Sequence, residues 1–311
     1  MTLARAGFHF IFAPVFVAAT MLLLARAFKS HTRNDFLLAG FFLGAGVYGY
    51  SAFRIVPILV LLFAILWLVR VIQLRANIGQ YLVNCGVMFA MAIIIVMPLV
   101  RYAIEKPAPI VTPMTDLIRT ETNIAENPIK TLGMNLLSAA TMFNWTADPN
   151  PLNAVPNDPA LDYVTGALFL LGVVYALSAL ARFRQASYAF LLLGLGVLIL
   201  PSAIDLAHPL ANPSITRASG AMPFVFIFAA LPLAWLSQTI RALISNLIVS
   251  HAITIAILLL LLGVGLRANY LRYFHDYASY HQQTSLYQEY SDTKLAARYA
   301  THARSVPQKK L

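Results

Sequence analysis

Charged residues are scarce in this chain of 311 residues: Asp, Glu, Lys and Arg together make up only 11% of it. A soluble domain carries roughly 25% charged residues, so the composition excludes an ordinary soluble fold. Hydrophobic residues make up 59% of the chain, and the mean hydropathy is +0.72. Several apolar runs approach the roughly 20 residues needed to cross a bilayer, which indicates an integral membrane protein.

Other absences exclude several classes of function. The single cysteine, Cys85, allows no intrachain disulfide and offers no zinc or redox spacing. No Asp or Glu lies in the middle of an apolar run, which argues against an ion-coupled transporter. The sequence has no Walker-type phosphate loop, no HExxH and no nucleophile elbow. The basic residues behind the net charge of +10 are scattered, so we expect no nucleic-acid partner.

Eight apolar runs divide the chain into candidate membrane helices. They are residues 8–28, 36–50, 55–69, 81–100, 163–180, 188–204, 222–236 and 247–266. The predicted fold is therefore all-α and polytopic, with about eight transmembrane helices. We expect one membrane domain over residues 1–266 and a short extracytoplasmic tail over residues 267–311. Within the second run, Gly40 and Gly44 form a small-xxx-small pair that predicts close approach of another helix.

The cations of the short loops predict the orientation. One set of short loops carries seven cations: Lys29, Arg33, Arg70, Arg75, Arg182, Arg184 and Arg241. The short loops on the opposite side carry only Arg54 and Arg217. Because cations concentrate in cytoplasmic loops, the richer set is expected in the cytoplasm. The outer loops are then residues 101–162 and 205–221, on the extracytoplasmic side of the cell inner (plasma) membrane. The basic tail alone would favour the cytoplasm, but the alternation of eight crossings places it outside.

The longer outer loop contains a candidate interfacial helix and, after it, a segment with three carboxylates. Residues 131–142 have apolar side chains at helical spacing, so we predict an amphipathic helix in the membrane interface. A turn-rich segment with four prolines follows, over residues 144–162. Its carboxylates, Asp148, Asp158 and Asp162, could bind a metal or sugar hydroxyls, or could cap turns and helices. Asp162 directly precedes an apolar run, so an N-cap is expected there.

The shorter outer loop, residues 205–223, lies between two membrane-length runs and must therefore stay close to the lipid surface. It carries Asp205, His208 and Arg217. Arginine suits an anion at this depth because its planar fork can pair two phosphate oxygens at once. Two interpretations remain open: a plain hairpin whose prolines only stop the helices, or the anion-binding opening of a membrane cavity.

Four segments are distributed over most of the chain, and their order and spacing are as informative as their sequences. They are residues 4–14 (ARAGFHFIFAP), 37–57 (LLAGFFLGAGVYGYSAFRIVP), 148–162 (DPNPLNAVPNDPALD) and 212–223 (NPSITRASGAMP). The set resembles the SRxGF, GxxxGxxxYxYxxxRxxP, GDxxxxHNxPGxPxLD and PxxxRxxGAxP motifs of membrane-embedded GT-C glycosyltransferases. The most similar group contains bacterial relatives of dolichyl-phosphate-mannose protein mannosyltransferases and aminoarabinose transferases. Three positions depart from the third motif: Ala147, directly before the segment, replaces Gly, Leu152 replaces His, and Asn157 replaces Gly.

The resemblance implies transfer of a sugar from a polyprenyl-phosphate-linked donor to an acceptor lipid, glycan or protein at the outer face. Arg217, assisted by Arg54, would pair the lipid phosphate, while Asp148 and Asn153 would shape the sugar or acceptor side. The full set of expected substrate-binding residues is Arg217, Arg54, Asp148, Asn153, His208 and Asp205. The expected partners are membrane lipid, the donor and the acceptor. No cofactor beyond the donor is implied, and dependence on a divalent metal is left open.

The family's catalytic acid lies in its first outer loop, and this chain has no counterpart. No Asp or Glu precedes Asp35, which falls in a predicted cytoplasmic loop. We therefore expect either a chain that begins at a middle helix of the family or a relative that has lost the base, with no catalytic residue assigned. The alternative function is a non-catalytic membrane subunit that binds a lipid carrier or acts in a flippase.

Overall fold

A computed structural model of the chain describes residues 9–107, 127–150, 153, 155, 158–183, 185–208 and 211–280. These residues are 81% helical and include no strand, which confirms the all-α fold class. Most of the predicted tail, residues 281–311, and part of the longer outer loop, residues 108–126, lie outside the described residues, as do residues 4–8 of the first family-like segment.

Nine α-helices make up most of the described residues. They are α1 (Phe12–Ser30), α2 (Arg33–Gly46), α3 (Val56–Gln73), α4 (Ile78–Glu105), α5 (Pro128–Thr141), α6 (Tyr163–Phe183), α7 (Ala186–Ala203), α8 (Met222–Leu243) and α9 (Leu247–Leu271). Short 3-10 helices occur at His9–Ile11, Ser51–Ile55 and Ser219–Ala221, and a π-helical segment, Arg272–Tyr277, continues α9.

Seven of these helices are long and apolar enough to cross a membrane: α1, α3, α4, α6, α7, α8 and α9. The remaining predicted crossing, α2, has only 14 residues. At 1.5 Å per residue it is about 21 Å long, shorter than the roughly 30 Å hydrocarbon core. The residues after α2 nevertheless bring the chain back to the level at which α1 begins, because the ring of Tyr50 lies 6.0 Å from the ring of Phe10. Of the eight predicted spans, seven are thus helices long enough to cross a membrane, and the eighth corresponds to the short helix α2.

Glycine allows two pairs of helices to touch through their backbones. A Cβ atom added to Gly40 of α2 would overlap the carbonyl group of Met88 in α4, and one added to Gly44 would crowd Ala92. This confirms the predicted close approach at the small-xxx-small pair. Gly172 of α6 lies equally close to the carbonyl group of Phe228 in α8. Such contacts fix the helix spacing, since no larger residue fits without displacing backbone.

The N-terminal helices α1–α4 and the C-terminal helices α6–α9 meet along two seams. In one seam, the rings of Phe63 in α3 and Phe190 in α7 lie 4.9 Å apart, edge to face. In the other, α1 packs against the Ser219–Ala221 turn, with Val17 fully buried. Edge-to-face aromatic contacts and complete burial of aliphatic side chains stabilise both seams.

The polar segments gather at one end of the bundle, which we call the loop end. Phe10 before α1, Asp162 before α6, Ser219 before α8 and Asn269 near the end of α9 all line the same cavity. The start of α1, both outer loops and the end of the last span therefore share one side of the bundle. This arrangement matches the alternation from which the orientation was predicted.

Helix α5 confirms that the longer outer loop contains a helix. Asn127 caps it by accepting a hydrogen bond from the backbone N–H of Lys130 at 3.1 Å. The helix is attached to the end of α7 through Asn135, whose Nδ2 donates to the carbonyl groups of Ala203 at 3.1 Å and Asp205 at 2.8 Å. The apolar residues predicted to face lipid remain exposed: Leu132, Leu136 and Leu137. Its position in the membrane interface stays a prediction.

Candidate functional site

Asp205 and Arg217 form an ion pair at the loop end, which we call the buried pair. Asp205 follows the end of α7 and has 0% exposure, while the Arg217 side chain is 26% exposed. Nη1 of Arg217 donates to Oδ2 of Asp205. The second carboxylate oxygen, Oδ1, lies 3.0 Å from Nδ1 of His208 and accepts from the His208 backbone N–H at 3.2 Å. Three of the predicted site residues are therefore in direct contact.

The backbone of Asp205 is as fully engaged as its side chain. Its carbonyl oxygen accepts hydrogen bonds from Nδ2 of Asn135 at 2.8 Å and from Nδ2 of Asn212 at 2.9 Å. Because buried polar groups need such partners, these contacts offset the cost of burying the residue. The buried pair thus joins helix α5 and the shorter outer loop to the end of α7.

Asp148 connects the two outer loops. Its Oδ1 accepts from the backbone N–H of Asn150 at 2.9 Å, and its Oδ2 accepts from Nδ2 of Asn153 at 2.9 Å and from the backbone N–H of Ile215 at 3.0 Å. Burial raises the pKa of Asp148, and these hydrogen bonds and the charge of Arg217 oppose that rise only in part. Two more predicted residues, Asp148 and Asn153, therefore lie beside the buried pair.

The sixth predicted residue, Arg54, belongs to a different element. It lies in the 3-10 helix Ser51–Ile55, which packs against α1, α3 and α7. It is not among the described residues that line the cavity at the loop end. The expected cooperation of Arg54 with Arg217 at one phosphate stays a prediction.

Asp162 caps helix α6, as predicted. Its Oδ1 accepts from the backbone N–H groups of Val164 at 3.1 Å and Thr165 at 3.0 Å. Its Oδ2 accepts from Oγ1 of Thr165 at 2.7 Å and from Nδ2 of Asn269 at 3.0 Å. Burial alone would raise the pKa of Asp162, but the four hydrogen bonds outweigh burial and lower it. The contact with Asn269 also attaches the end of α9 to this cap.

A cavity of about 600 Å³ opens at the loop end, between the longer outer loop and helices α1, α8 and α9. Its walls combine apolar residues from α1 and α8 with polar residues from the longer loop and α9. The lining residues are Phe10, Ile11, Pro14, Ala18, Asn153, Val155, Asp158, Pro159, Ala160, Leu161, Asp162, Thr165, Ile215, Ser219, Met222, Pro223, Phe226, Asn269, Arg272 and Tyr273.

The apolar wall of the cavity is formed by two candidate membrane spans. Ala18 lies six residues past the start of α1, or about 9 Å along the helix axis. Ala18 and Phe226 of α8 both line the cavity, and both residues are exposed. Since α1 and α8 are long and apolar enough to cross a membrane, the cavity combines a polar rim with a wall made from candidate spans.

The polar rim contains a second ion pair, which we call the open pair. Nε of Arg272 lies 3.4 Å from Oδ2 of Asp158, and the two side chains are 22% and 42% exposed. Nη1 of Arg272 donates to the carbonyl groups of Pro159 at 3.0 Å and Leu161 at 3.3 Å. Among the described residues that line the cavity, Arg272 carries the single positive charge.

Most of the predicted site residues lie around the buried pair, whereas most residues of the cavity rim were not predicted. Of the six predicted site residues, Asn153 lines the cavity. Arg272 and Tyr273 belong to the predicted tail and are not among the predicted site residues. A usable signal was present, because Asn269, Arg272 and Tyr273 are three and four residues apart at the end of the last apolar run. That spacing places them on one face of a helix.

Among the described residues, no group of three or more His, Cys, Asp or Glu could hold a metal ion. Compared with models of known protein families, with characterised proteins and with solved structures, the chain has no match.

Proposed function

We propose that the cavity binds a polyprenyl-phosphate-linked sugar and that the chain is a GT-C-like glycosyltransferase acting at the extracytoplasmic face of the inner membrane. The observation that carries this proposal is that one cavity combines a polar rim with an apolar wall formed by the candidate spans α1 and α8. A purely water-soluble substrate would gain nothing from an apolar wall. A lipid with a polar head needs both parts, because each must meet surroundings of matching polarity.

The dimensions of the cavity fit the head of such a lipid. Sites for small molecules typically measure about 300–1,000 Å³, and this cavity has about 600 Å³. A sugar phosphate would occupy the rim near Asn153, Asn269 and Arg272. The first isoprene units would lie along Ala18 and Phe226, and the rest of the chain would extend into the bilayer.

Arg272 is the group best placed to pair the lipid phosphate. Guanidinium groups form strong, charge-assisted hydrogen bonds with phosphate oxygens, and Arg272 faces the cavity directly. Arg217 was the expected partner on the basis of sequence, but its guanidinium is held by the fully buried Asp205. Removing Arg217 from that contact would leave a buried carboxylate without its cation, which is costly. We therefore transfer the phosphate-binding role from Arg217 to Arg272.

One observation favours the alternative, a non-catalytic subunit that binds a lipid carrier. Asp148 and Asp162 use both of their carboxylate oxygens to hold backbone and side-chain N–H or O–H groups. Such carboxylates stabilise loops rather than accept protons from a substrate. A carrier-binding subunit would use the same cavity but would break no glycosidic bond.

Turnover separates the two functions. The full chain would be reconstituted in vesicles made from the lipids of its source membrane, which supply lipid acceptors. Radiolabelled polyprenyl-phosphate monosaccharides, one hexose and one aminopentose series, would be added, and release of free polyprenyl phosphate would be followed. A glycosyltransferase releases polyprenyl phosphate and labels an acceptor. Binding of the same lipids, measured by native mass spectrometry, without any release would leave the carrier-binding subunit. Absence of binding would refute both.

A further inference from the structure

Three carboxylates of the longer outer loop lie near the cavity, and their surroundings differ. Asp148 is buried and accepts three hydrogen bonds. Asp162 is also buried and accepts four. The side chain of Asp158 is 42% exposed, lines the cavity, and has Nε of Arg272 at 3.4 Å as its partner among the described residues.

Only a carboxylate with an accessible oxygen can take a proton from a substrate. A general base must come within about 2.6–3.2 Å of the proton donor, directly or through one water. Hydrogen-bond donors already occupy the oxygens of Asp148 and Asp162, so a substrate hydroxyl would have to displace backbone contacts. The carboxylate of Asp158 can accept a substrate proton without such a rearrangement. The hydrogen bond from the N–H group of Ala147, at 3.0 Å, is accepted by the backbone carbonyl of Asp158 and leaves its side chain unused.

The contact between Asp158 and Arg272 is suited to exchange. An ion pair at 3.4 Å between partly exposed groups is worth little, typically less than about 1 kcal/mol. The phosphodiester of the donor lipid, on entering the cavity, would compete with the carboxylate for the same guanidinium. Arg272 would keep its position, since Nη1 is fixed by the carbonyl groups of Pro159 and Leu161.

We propose that Asp158 is the proton acceptor of the site, and that the donor phosphate frees it by drawing Arg272 into a phosphate contact. This inference rests on the proposed glycosyltransferase function. The acceptor hydroxyl oxygen attacks the anomeric carbon of the donor, and a new C–O bond forms. The bond between that carbon and the phosphate oxygen breaks, and its electron pair stays on the polyprenyl phosphate, which Arg272 stabilises. The hydroxyl proton passes to the Asp158 carboxylate and then to water.

The test compares Asp158→Asn with wild type for donor binding and for turnover in the vesicle assay described above. Asparagine has the same shape but cannot accept the proton, so turnover is expected to fall by about 100-fold or more. Binding of the polyprenyl-phosphate monosaccharide, followed by native mass spectrometry, should stay within about threefold, because Arg272 remains. Asp158→Glu keeps a carboxylate displaced by one methylene and should retain more turnover than Asp158→Asn.

The pH profile gives a readout that a structural role would not move. Wild-type turnover should fall on the acid side, where the base takes up a proton, and this limb should be absent in the residual activity of Asp158→Asn. The charged groups that line the cavity with Asp158 are Asp162 and Arg272. Asp276→Asn is the matched control, because Asp276 is an exposed carboxylate paired with His275 at 2.9 Å. It should have wild-type turnover and a wild-type pH profile.

The outcomes separate this inference from the function on which it rests. Donor turnover by wild type with unchanged turnover in Asp158→Asn would overturn the role of Asp158 and leave the glycosyltransferase intact. Donor binding without turnover in wild type would overturn both. If Asp158→Asn does not fold, Asp158→Glu is the deciding variant. Turnover equal to that of wild type, together with an unchanged acid limb of the pH profile, supports a carboxylate base at this position. Loss of turnover together with loss of donor binding refutes the proposed role of Asp158.

Discussion

The buried pair, Asp205–Arg217, and the open pair, Asp158–Arg272, have the same chemical composition but opposite surroundings. Asp205 has 0% exposure and its carboxylate is shared between Arg217 and His208. The Asp158 side chain is 42% exposed at the wall of a cavity of about 600 Å³. A buried pair resists exchange because breaking it strands a charge in a poorly solvated site. An open pair can trade partners with a ligand at little cost.

The comparison shows that two arginines at the same end of the bundle have different partners and different access to the cavity. An arginine in a loop between two membrane spans suggests an anion site, and Arg217 fits that description. Its guanidinium, however, is paired with the fully buried Asp205. Arg272 lies at the end of the last span, in the segment predicted as a tail, and it lines the cavity.

Removal of the acid from each pair should give the largest difference in the free energy of unfolding. Asp205→Ala leaves Arg217 without its partner and removes the acceptor of His208, so we expect a loss of about 3 kcal/mol in the free energy of unfolding. Asp158→Ala should cost less than about 1 kcal/mol, because its pair is partly exposed. Thermal unfolding in detergent would measure both. Equal losses in the two variants would contradict the distinction between the pairs.

The close backbone contact between α6 and α8 provides the next test. Gly172→Ala should destabilise the protein by about 1–3 kcal/mol, because the new methyl group overlaps the carbonyl group of Phe228 and forces α6 away from α8. Gly86→Ala is the matched control, since no atom lies within 4 Å of its added Cβ. Alanine is the better helix former by roughly 0.5–1 kcal/mol, so this control should be slightly stabilised. Thermal unfolding of both variants would show whether the sign differs.

A smaller effect should appear in the pH dependence of stability. The pKa of Asp148 is raised by burial, so its contribution is fully present below its unfolded pKa of about 3.9 and is lost as the pH rises through the folded pKa. The pKa of Asp162 is lowered by its hydrogen bonds despite burial, so its contribution is present above about 3.9 and is lost as the pH falls through the folded pKa.

Unfolding midpoints measured between about pH 3 and pH 8 would resolve these opposite slopes. Relative to wild type, Asp162→Asn should flatten the loss of stability on the acid side. Asp148→Asn should instead remove the decline in stability that accompanies ionisation of Asp148 at higher pH. If both variants change the same limb of the curve, the assignment of opposite shifts to the two carboxylates is wrong.

Much of the framework could be predicted because its causes are local. Apolar runs of membrane length, the spacing of Gly40 and Gly44, and the position of Asp162 directly before a span depend on neighbouring residues only. The corresponding helices, the close contact and the N-cap are all found. The short α2 departs from the predicted run over residues 36–50 because its helix ends at Gly46 and a turn follows.

The arrangement of the site depends on contacts between distant residues, so it could not be predicted in the same way. Asp148 becomes inaccessible through the backbone N–H of Ile215, 67 positions away, and Asp162 through Asn269, 107 positions away. Neither contact leaves a periodic signal in the sequence. Asp158 is accessible because neither interaction reaches it, and this difference among three similar carboxylates appears only when the helices are assembled.

Binding of undecaprenyl phosphate to matched arginine variants tests most directly whether the open pair is the functional one. The full chain, Arg272→Gln and Arg217→Gln would be compared by native mass spectrometry, with folding checked by thermal unfolding in detergent. Loss of a charge-assisted contact to phosphate is worth about 1.5–3 kcal/mol, so we predict that Arg272→Gln binds roughly 10-fold or more weakly. Arg217→Gln, where it folds, should bind within about twofold of wild type. Loss of binding in Arg217→Gln with full binding in Arg272→Gln would contradict the assignment and restore the buried pair as the phosphate site.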